Sequence, residues 1–217
     1  MSPLLANVLL DEVDKELERR GHCFARYADD CNVYVHSQKA GERVMQLLRK
    51  LYAKLHLTVN ETKSAVASVR GRKFLGFSLW VGKDGEIRLK VAAKPMAAFK
   101  QRIRQLTRRS GGRSMEQVVQ KLRPYILGWR AYFGLAQTPY VWRTLDGWIR
   151  RRLRALQLKQ WKRGSTMIRE LRALGARMEN AKQVARNAGS WWRNSAGLVR
   201  ITLNNAYFDR LGVPRFS

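Results

Sequence analysis

The sequence predicts an α+β fold, in which helices and an antiparallel sheet are followed by an all-α region rich in basic residues. Two observations predict the first part: short aromatic and β-branched runs flank tight turns, and segments with helical periodicity lie between them. A third predicts the second part, because strand signals end after Pro95 and helical periodicity continues from there. We therefore expect two domains, residues 1–94 and 95–217.

The first domain is predicted to begin with a helix and to continue as hairpins and extended segments. Ser2 and Pro3 are typical of a helix N-terminus, and Gly21 is typical of its end. Two runs flanking residues 28–30 predict a β-hairpin. The remaining elements are a helix over about 38–55, extended segments at 57–59 and 64–69 around a turn at Asn60-Glu61, a strand at 74–81, a turn at 82–85 and its partner strand at 86–91.

The second domain is predicted to be entirely helical. Pro124 falls within one of its helical patterns and is expected to start or kink a helix there. The predicted helices lie near residues 95–109, 114–134, 138–161, 165–174, 178–188 and 197–211.

The charge of the chain is strongly positive and unevenly distributed. The formal net charge is +27 and the isoelectric point is about 11.2. Residues 1–94 contain 17 basic and 11 acidic residues, whereas residues 95–217 contain 26 basic and 5 acidic residues. Such a balance indicates a polyanionic partner, most often a nucleic acid, with an anionic membrane surface as the weaker alternative.

The sequence gives no sign of export or membrane insertion. No apolar run approaches the roughly 20 residues that span a bilayer, and the N-terminus lacks a signal-peptide pattern. The hairpin register should keep Cys23 away from Cys31, so we expect free thiols and a cytoplasmic protein, with an organellar origin left open. Three histidines and these spacings fit no zinc motif.

Asp29 and Asp30 are adjacent carboxylates in the predicted hairpin turn. Like charges at this distance repel each other unless they are solvated or share a cation. Two hard oxygen ligands over a substrate phosphate suit Mg²⁺-dependent phosphoryl or nucleotidyl transfer. The alternative interpretation is an exposed acidic turn. Asp11 and Asp14, the nearest upstream acids, are expected to be solvated on the first helix.

Several motifs occur in a fixed order along the chain. They are Ser2-Pro3-Leu4-Leu5-Ala6-Asn7, Arg26-Tyr27-Ala28-Asp29-Asp30, residues 57–63, Phe74-Leu75-Gly76-Phe77, and then residues 128–133, 145–154 and 159–163. The first four resemble the second half of the palm of a group II intron reverse transcriptase. The last three resemble the thumb and the maturase-specific domain of the same family.

The resemblance implies a partial polymerase palm with an antiparallel sheet, followed by an all-α basic thumb and maturase region. It implies that Asp29 and Asp30 are catalytic ligands of Mg²⁺ and that the partners are group II intron RNA and primer–template nucleic acid. The other roles it implies are Tyr27 beside the primer end, Ser2, Pro3 and Asn7 in the template and nucleotide segment, Lys63 near the nucleotide phosphates, and Phe74 and Gly76 in the primer-grip hairpin. The alternative interpretations are sheet core for Phe74 and a surface position for Lys63.

Aromatic residues and arginines alternate in the basic region, a mixture that suits RNA phosphates and unpaired bases. The candidate RNA-binding residues are Arg130, Arg150, Arg151, Arg152, Arg154, Lys159, Lys162, Arg163 and Arg193. Replacing Arg150, Arg151 and Arg152 with glutamine is expected to weaken RNA binding and to leave stability nearly unchanged. The alternatives are core packing for the rings and a solvated face for the three consecutive arginines.

Members of the resembled family carry fingers and a further metal-binding Asp before the segment that corresponds to Ser2–Asn7. The resemblance implies that this sequence lacks both. One hypothesis is therefore a polymerase fragment with an incomplete two-metal site, inactive alone, whose missing half a separate chain could supply. The other is a non-catalytic maturase-type RNA-binding protein. The collinear motifs disfavour a third hypothesis, a generic basic nucleic-acid binder.

Overall fold

The computed structural model describes residues 3–82 and 84–216 and confirms the α+β class. The chain divides into two compact units, Met1–Val69 and Arg70–Ser217. Helix α1 begins at Pro3 as predicted, and Ser2, its expected N-cap, lies outside the described residues. The domain boundary near residue 94 remains a prediction. No described helix is both long and apolar enough to cross a membrane.

The first unit packs two helices against a hairpin. Its elements are α1 (Pro3–Arg19), β1 (Cys23–Tyr27), β2 (Asp30–Tyr34) and α2 (Gln38–Lys54). The apolar stripes of the helices meet in a core formed by Leu10, Val13, Leu17, Val44 and Leu48. The antiparallel register pairs Cys23 with Tyr34 and Arg26 with Cys31, so the thiols lie at opposite ends of the hairpin.

Asn60 forms the predicted turn after α2. Its side-chain oxygen accepts hydrogen bonds from the backbone N–H groups of Thr62, at 3.1 Å, and Lys63, at 3.2 Å. This is the local bonding that favours asparagine in turns. The flanking segments, 57–59 and 64–69, join neither sheet of the described structure.

The second unit combines a three-stranded antiparallel sheet with helices. The strands are β3 (Lys73–Phe74), β4 (Phe77–Val81) and β5 (Ile87–Val91). The helices are α3 (Ala93–Leu106), α4 (Met115–Phe133), α5 (Pro139–Trp161), α6 (Gly164–Ala173), α7 (Met178–Arg186), α8 (Trp191–Asn194), α9 (Val199–Thr202) and α10 (Asn205–Arg210). As expected, no strand follows Pro95 within the described residues.

Three element predictions were wrong in detail. The strand predicted at 74–81 is a hairpin, because Leu75 and Gly76 turn the chain with φ of 49° and 78°. The helix predicted at 197–211 is two short helices, α9 and α10. Pro124 does not start a helix, since α4 continues through it, and the kink expected at this residue stays a prediction.

Helix α5 is buried over much of its length, with a core of Leu145, Ile149, Leu153, Leu156 and Leu158. The sheet is joined to the helices at the loop before α5. Gln137 donates its backbone N–H to Leu89 O at 2.9 Å, and its side-chain oxygen accepts from Leu89 N at 3.2 Å. These bonds pair the backbone N–H and C=O groups of Leu89 on the edge of β5, and they attach the sheet to the helical core.

Candidate functional site

The Asp-Asp turn is a two-residue hairpin turn with a strained first position. Tyr27 pairs with Asp30 across the hairpin, and Ala28 between them has φ of 53°. A left-handed conformation is rare for a residue with a Cβ, and such strain is often found at functional sites. Asp29 and Asp30 are both exposed. Neither carboxylate has an ion pair or side-chain hydrogen bond with a described residue.

Arg26 ties this turn to helix α1. Its Nε lies 2.8 Å from Asp14 Oδ1, and its Nη1 donates to Asn7 Oδ1 at 2.9 Å and to the backbone oxygen of Ala28 at 3.0 Å. The side chain is only 11% exposed, and the hydrogen bonds that it donates to Asp14 are the main reason that the pKa of Arg26 is raised. One guanidinium therefore holds the residue that precedes Asp29.

The expectation that Asp14 is solvated was wrong. Asp14 lies on the same helical face as Leu10 and Leu17, four and three residues away, so it points toward the hairpin and meets Arg26. That spacing was the signal in the sequence that could have revealed the contact. Asp11, in contrast, pairs with Lys15 on the exposed surface, as a solvated residue would.

Burial also affects the groups beside this ion pair. It raises the pKa of the Cys31 thiol to about 11, with Asp14 adding to the increase and Arg26 opposing it. It raises the pKa of Tyr52 to about 12. Both groups therefore stay neutral at physiological pH, and the Arg26–Asp14 pair is the charged feature behind the turn.

Tyr27 and Lys63, two other predicted residues of the first unit, lie on its surface. Tyr27 is 64% exposed, and Lys63 is exposed without an ion pair to a described residue. Asp29 and Asp30 offer the hard oxygen ligands that Mg²⁺ prefers, so the residues fit such an ion. Within residues 3–82 and 84–216, no third His, Cys, Asp or Glu lies close enough to Asp29 and Asp30 to complete a metal-binding cluster.

The hairpin at Phe74 and Gly76 packs on the end of α4. Tyr132 donates its hydroxyl to Leu75 O at 3.1 Å, and the Phe77 ring lies 5.2 Å from that of Phe133. A Cβ at Gly76 would approach the Phe133 ring to 3.2 Å, so the glycine permits this contact. Phe74 is half-buried. These contacts place the turn rigidly on the helical unit.

Two of the predicted RNA-binding arginines are inside the protein. Arg150 is 2% exposed and pairs with Asp146 at 3.3 Å and Asp209 at 3.0 Å. Arg154 is 6% exposed and donates to the backbone oxygens of Ser195 and Leu203. Since they offer almost no surface to a phosphate, we do not carry the prediction of direct RNA contact over to them.

Burial also lowers the pKa of Arg154 to about 10, with further lowering by Arg200, Arg150 and Arg151. The interior of the second unit therefore uses its arginines as hydrogen-bond donors to carboxylates and to carbonyl groups at the ends of short helices. This is a structural role that the pattern of consecutive arginines did not indicate.

Five other cations lie over three tryptophan rings and form what we call the cation–ring stripe. Its cations are Arg104, Arg109, Arg151, Arg152 and Lys159, and its rings are Trp148, Trp191 and Trp192. Arg104 and Arg152 share Trp148 at 5.6 and 5.5 Å. The rings thus collect charges from α3, α5 and the loop after α3.

The stripe lacks compensating acids. None of its five cations forms an ion pair with a described carboxylate, in contrast to Arg150. The pKa of Arg152 is lowered, first by burial and then by Arg104 and Arg109, which shows that like charges crowd there. Its partners are neutral: Nε donates to Thr107 Oγ1 at 2.7 Å and Nη2 to Arg104 O at 3.4 Å. A polyanion would relieve this repulsion.

The remaining predicted cations, Arg130, Lys162, Arg163 and Arg193, are exposed. Arg130 donates to Arg215 O at 2.9 Å and borders an open cleft of about 770 Å³, together with Trp142 and Phe216. Sequence reasoning missed Arg104, which lies over Trp148 of α5, and Arg109, which lies over Trp191 of α8. They precede those rings by about 40 and 80 residues, and no spacing in the sequence indicates either contact.

The comparison with protein families gives two matches along the chain. Residues 1–79 match the reverse transcriptase (RNA-dependent DNA polymerase) family, and residues 96–175 match the group II intron, maturase-specific domain. The comparison with curated proteins found no match. The Asp-Asp turn lies in the first matched region and the cations of the stripe in the second. With both regions in this order, the chain belongs to the group II intron reverse transcriptase/maturase family.

Proposed function

We propose that this protein binds group II intron RNA through the cation–ring stripe and thereby assists the folding and splicing of the intron. The observation that carries the proposal is the crowding of five cations without a paired carboxylate. Repulsion between crowded positive charges destabilises the folded protein when it is alone, and bound phosphates relieve that repulsion. All five cations fall within residues 96–175, the maturase-specific match.

A second candidate activity, RNA-directed DNA synthesis, is favoured by the exposed carboxylates of Asp29 and Asp30. In this activity the two residues would hold Mg²⁺, and Arg26 would fix the turn that presents them. Bound Mg²⁺ would activate the primer hydroxyl and neutralise charge on the nucleotide phosphates. Tyr27 and Lys63 would then contact primer and nucleotide from the exposed surface.

The RNA proposal is tested with a variant that removes four charges from the stripe. This four-site variant carries Arg104→Gln, Arg109→Gln, Arg151→Gln and Lys159→Gln. We expect splicing of a group II intron transcript to be accelerated by the wild-type protein and much less by the variant. A matched control replaces exposed cations of α2 with glutamine: Lys39, Arg43, Lys50 and Lys54. Equal acceleration by wild type and four-site variant would contradict the proposal.

The polymerase activity is tested by primer extension on an RNA template with Mg²⁺. If the chain synthesises DNA, Asp29→Asn and Asp30→Asn should each abolish extension, because a neutral amide is a much poorer Mg²⁺ ligand. Asp11→Asn serves as the control, since Asp11 lies on the surface of α1 and pairs with Lys15. No extension by the wild-type chain, with RNA binding intact, would favour the non-catalytic maturase.

A further inference from the structure

The geometry points to a specific mode of recognition: the cation–ring stripe binds RNA through backbone phosphates and does not stack unpaired bases on its tryptophans. This inference rests on the proposed RNA-binding function and names the part of the RNA that the stripe contacts. It differs from the expectation that exposed rings in the basic region stack on bases.

Two of the rings already contact the protein core on one side and cations on the other. Trp148 and Trp191 are half-buried and pack against the core of the second unit. Each also has two cations within 6 Å of its ring centre: Arg104 and Arg152 for Trp148, and Arg109 and Lys159 for Trp191. A base would have to displace a cation to stack there. These rings therefore serve as supports that hold positive charge at the surface.

Trp192 is the ring most able to bind a base, and it too carries a cation. It is 39% exposed, and the Arg151 guanidinium carbon lies 4.2 Å from the ring centre, the shortest such distance in the stripe. Arg151 Nε is buried and has no hydrogen-bond partner among the described residues. The ring contact is therefore what positions this guanidinium, and the pair is the place where base stacking and phosphate binding can be distinguished.

An arginine whose guanidinium lies against a ring can still direct its terminal N–H groups at an anion. A planar guanidinium matches phosphate oxygens in a bidentate manner, and fixing it beforehand reduces the entropy lost on binding. Arg152 is fixed in the same sense by its hydrogen bonds to Thr107 and Arg104 O. Phosphates occur in every strand and every duplex, so such a surface reads the backbone and not the bases.

The first experiment measures the affinity of the full chain for four RNAs at one salt concentration. They are a duplex, a single strand of equal phosphate number, the same strand with abasic sites, and a strand of different sequence. We expect the three single strands to agree within about threefold and the duplex to bind at least as tightly, because a duplex releases more counterions per phosphate contact. Base stacking contributes roughly 1–3 kcal/mol per base, which corresponds to about 5- to 150-fold. A preference of that size for the intact single strand would overturn the inference.

The second experiment is a double-mutant cycle on Arg151 and Trp192. Arg151→Gln and Trp192→Leu should each weaken binding of the duplex roughly two- to fivefold, the range of an exposed cation–ring contact. The double variant should be no weaker than Arg151→Gln alone, because the ring acts only through the guanidinium. Trp192→Phe, which keeps an aromatic face, should retain most of the affinity.

Arg143→Gln is the matched control for the cycle, because Arg143 is an exposed arginine of the same helix with no ring contact among the described residues. It should show no coupling to Trp192→Leu. Two results together would mean that Trp192 stacks on a base: additive losses of affinity in the Arg151 and Trp192 variants, and a loss in Trp192→Leu that occurs with the intact strand and not with the abasic strand. No binding of any RNA would instead contradict the proposed function itself, so the two failures are distinguishable.

Discussion

Arg150 and Arg152 lie two residues apart on α5 and differ in what surrounds them. A helix turns by about 200° over two residues, so one guanidinium enters the core while the other reaches Trp148 at the surface. Arg150 meets two carboxylates, whereas Arg152 meets a hydroxyl and a carbonyl group. The same residue type thus stabilises the fold at one position and holds uncompensated charge at the other.

The first prediction concerns Arg150. Arg150→Met removes one partner of a buried ion network and should lower the free energy of unfolding by about 3–5 kcal/mol. RNA affinity should keep its salt dependence, measured on protein that remains folded. Arg143→Gln, the exposed control on α5, should change stability by no more than about 0.5 kcal/mol. Tryptophan fluorescence during urea unfolding reports on this unit. A stable Arg150→Met protein with weaker RNA binding would mean that Arg150 reaches the surface.

The second prediction concerns the strained turn at Ala28. Ala28→Gly should stabilise the hairpin by about 1 kcal/mol, because glycine adopts a φ of 53° without the Cβ clash. Ala25→Gly, within strand β1, should instead destabilise it by roughly 0.5–1 kcal/mol. Residues 1–69 contain no tryptophan, so amide hydrogen exchange of the hairpin is the suitable measurement. Equal effects of the two changes would show that Ala28 carries no strain.

The third prediction concerns pH. Burial raises the pKa of Cys31 from its usual 9.0 to about 11, so between these values the folded thiol keeps a proton that the unfolded thiol has lost. Stability from this group is therefore complete below pH 9 and falls as the pH rises toward 11. Urea midpoints measured across this range should fall less steeply in Cys31→Ala than in the wild type. Parallel curves would exclude a contribution from Cys31.

At the scale of elements, periodicity identified the long helices and missed the local interruptions. Helices α1, α2, α4 and α5 lie within two residues of their expected bounds, since each has a sustained apolar stripe. The break between α9 and α10 depends on Asn204, whose side chain accepts a hydrogen bond from Tyr207 N. A continuous apolar pattern hides such a cap. Likewise, Leu75 is an unusual residue for a left-handed turn, so the hairpin there resembled one strand.

The fourth prediction separates strain from packing in that hairpin. Gly71 and Gly76 have nearly equal φ values, 76° and 78°, but only Gly76 has a side chain within 3.4 Å of the position of a Cβ, namely Phe133. Gly71→Ala should cost about 1–2 kcal/mol from the backbone alone. Gly76→Ala should cost more, because the Phe133 ring must also move. Tryptophan fluorescence during urea unfolding would measure the loss of stability in both variants. Equal losses would show that the Phe133 ring moves aside without an energetic cost.

At the scale of the whole molecule, charge follows the compact units closely. Residues 1–69 contain ten basic and nine acidic residues, whereas residues 70–217 contain 33 and seven. The concentration of charge toward the C-terminus was predictable from composition. The grouping of β3–β5 with the helices was not, because it depends on the contacts of Gln137 and Phe133 with the sheet.

The contacts that define the site were predictable in proportion to how local they are. The Asp-Asp turn follows from its own flanking residues. The stripe depends on α3 meeting α5 and on α8 covering it, and neither contact leaves a periodic trace in the sequence. Composition therefore indicates that a nucleic acid is bound, and only the folded chain shows which cations share a surface.

The last prediction concerns the salt dependence of RNA binding by the full chain. Each phosphate contact that is neutralised contributes roughly 0.7–0.9 to the slope of log affinity against log salt. The four-site variant of the stripe should therefore bind a duplex RNA with a slope reduced by about 3. The four-glutamine control in α2 loses the same net charge, yet its slope should stay close to that of the wild type. Because both variants change the overall charge equally, a reduction shared by the two would mean that affinity follows net charge alone and that the stripe has no special role.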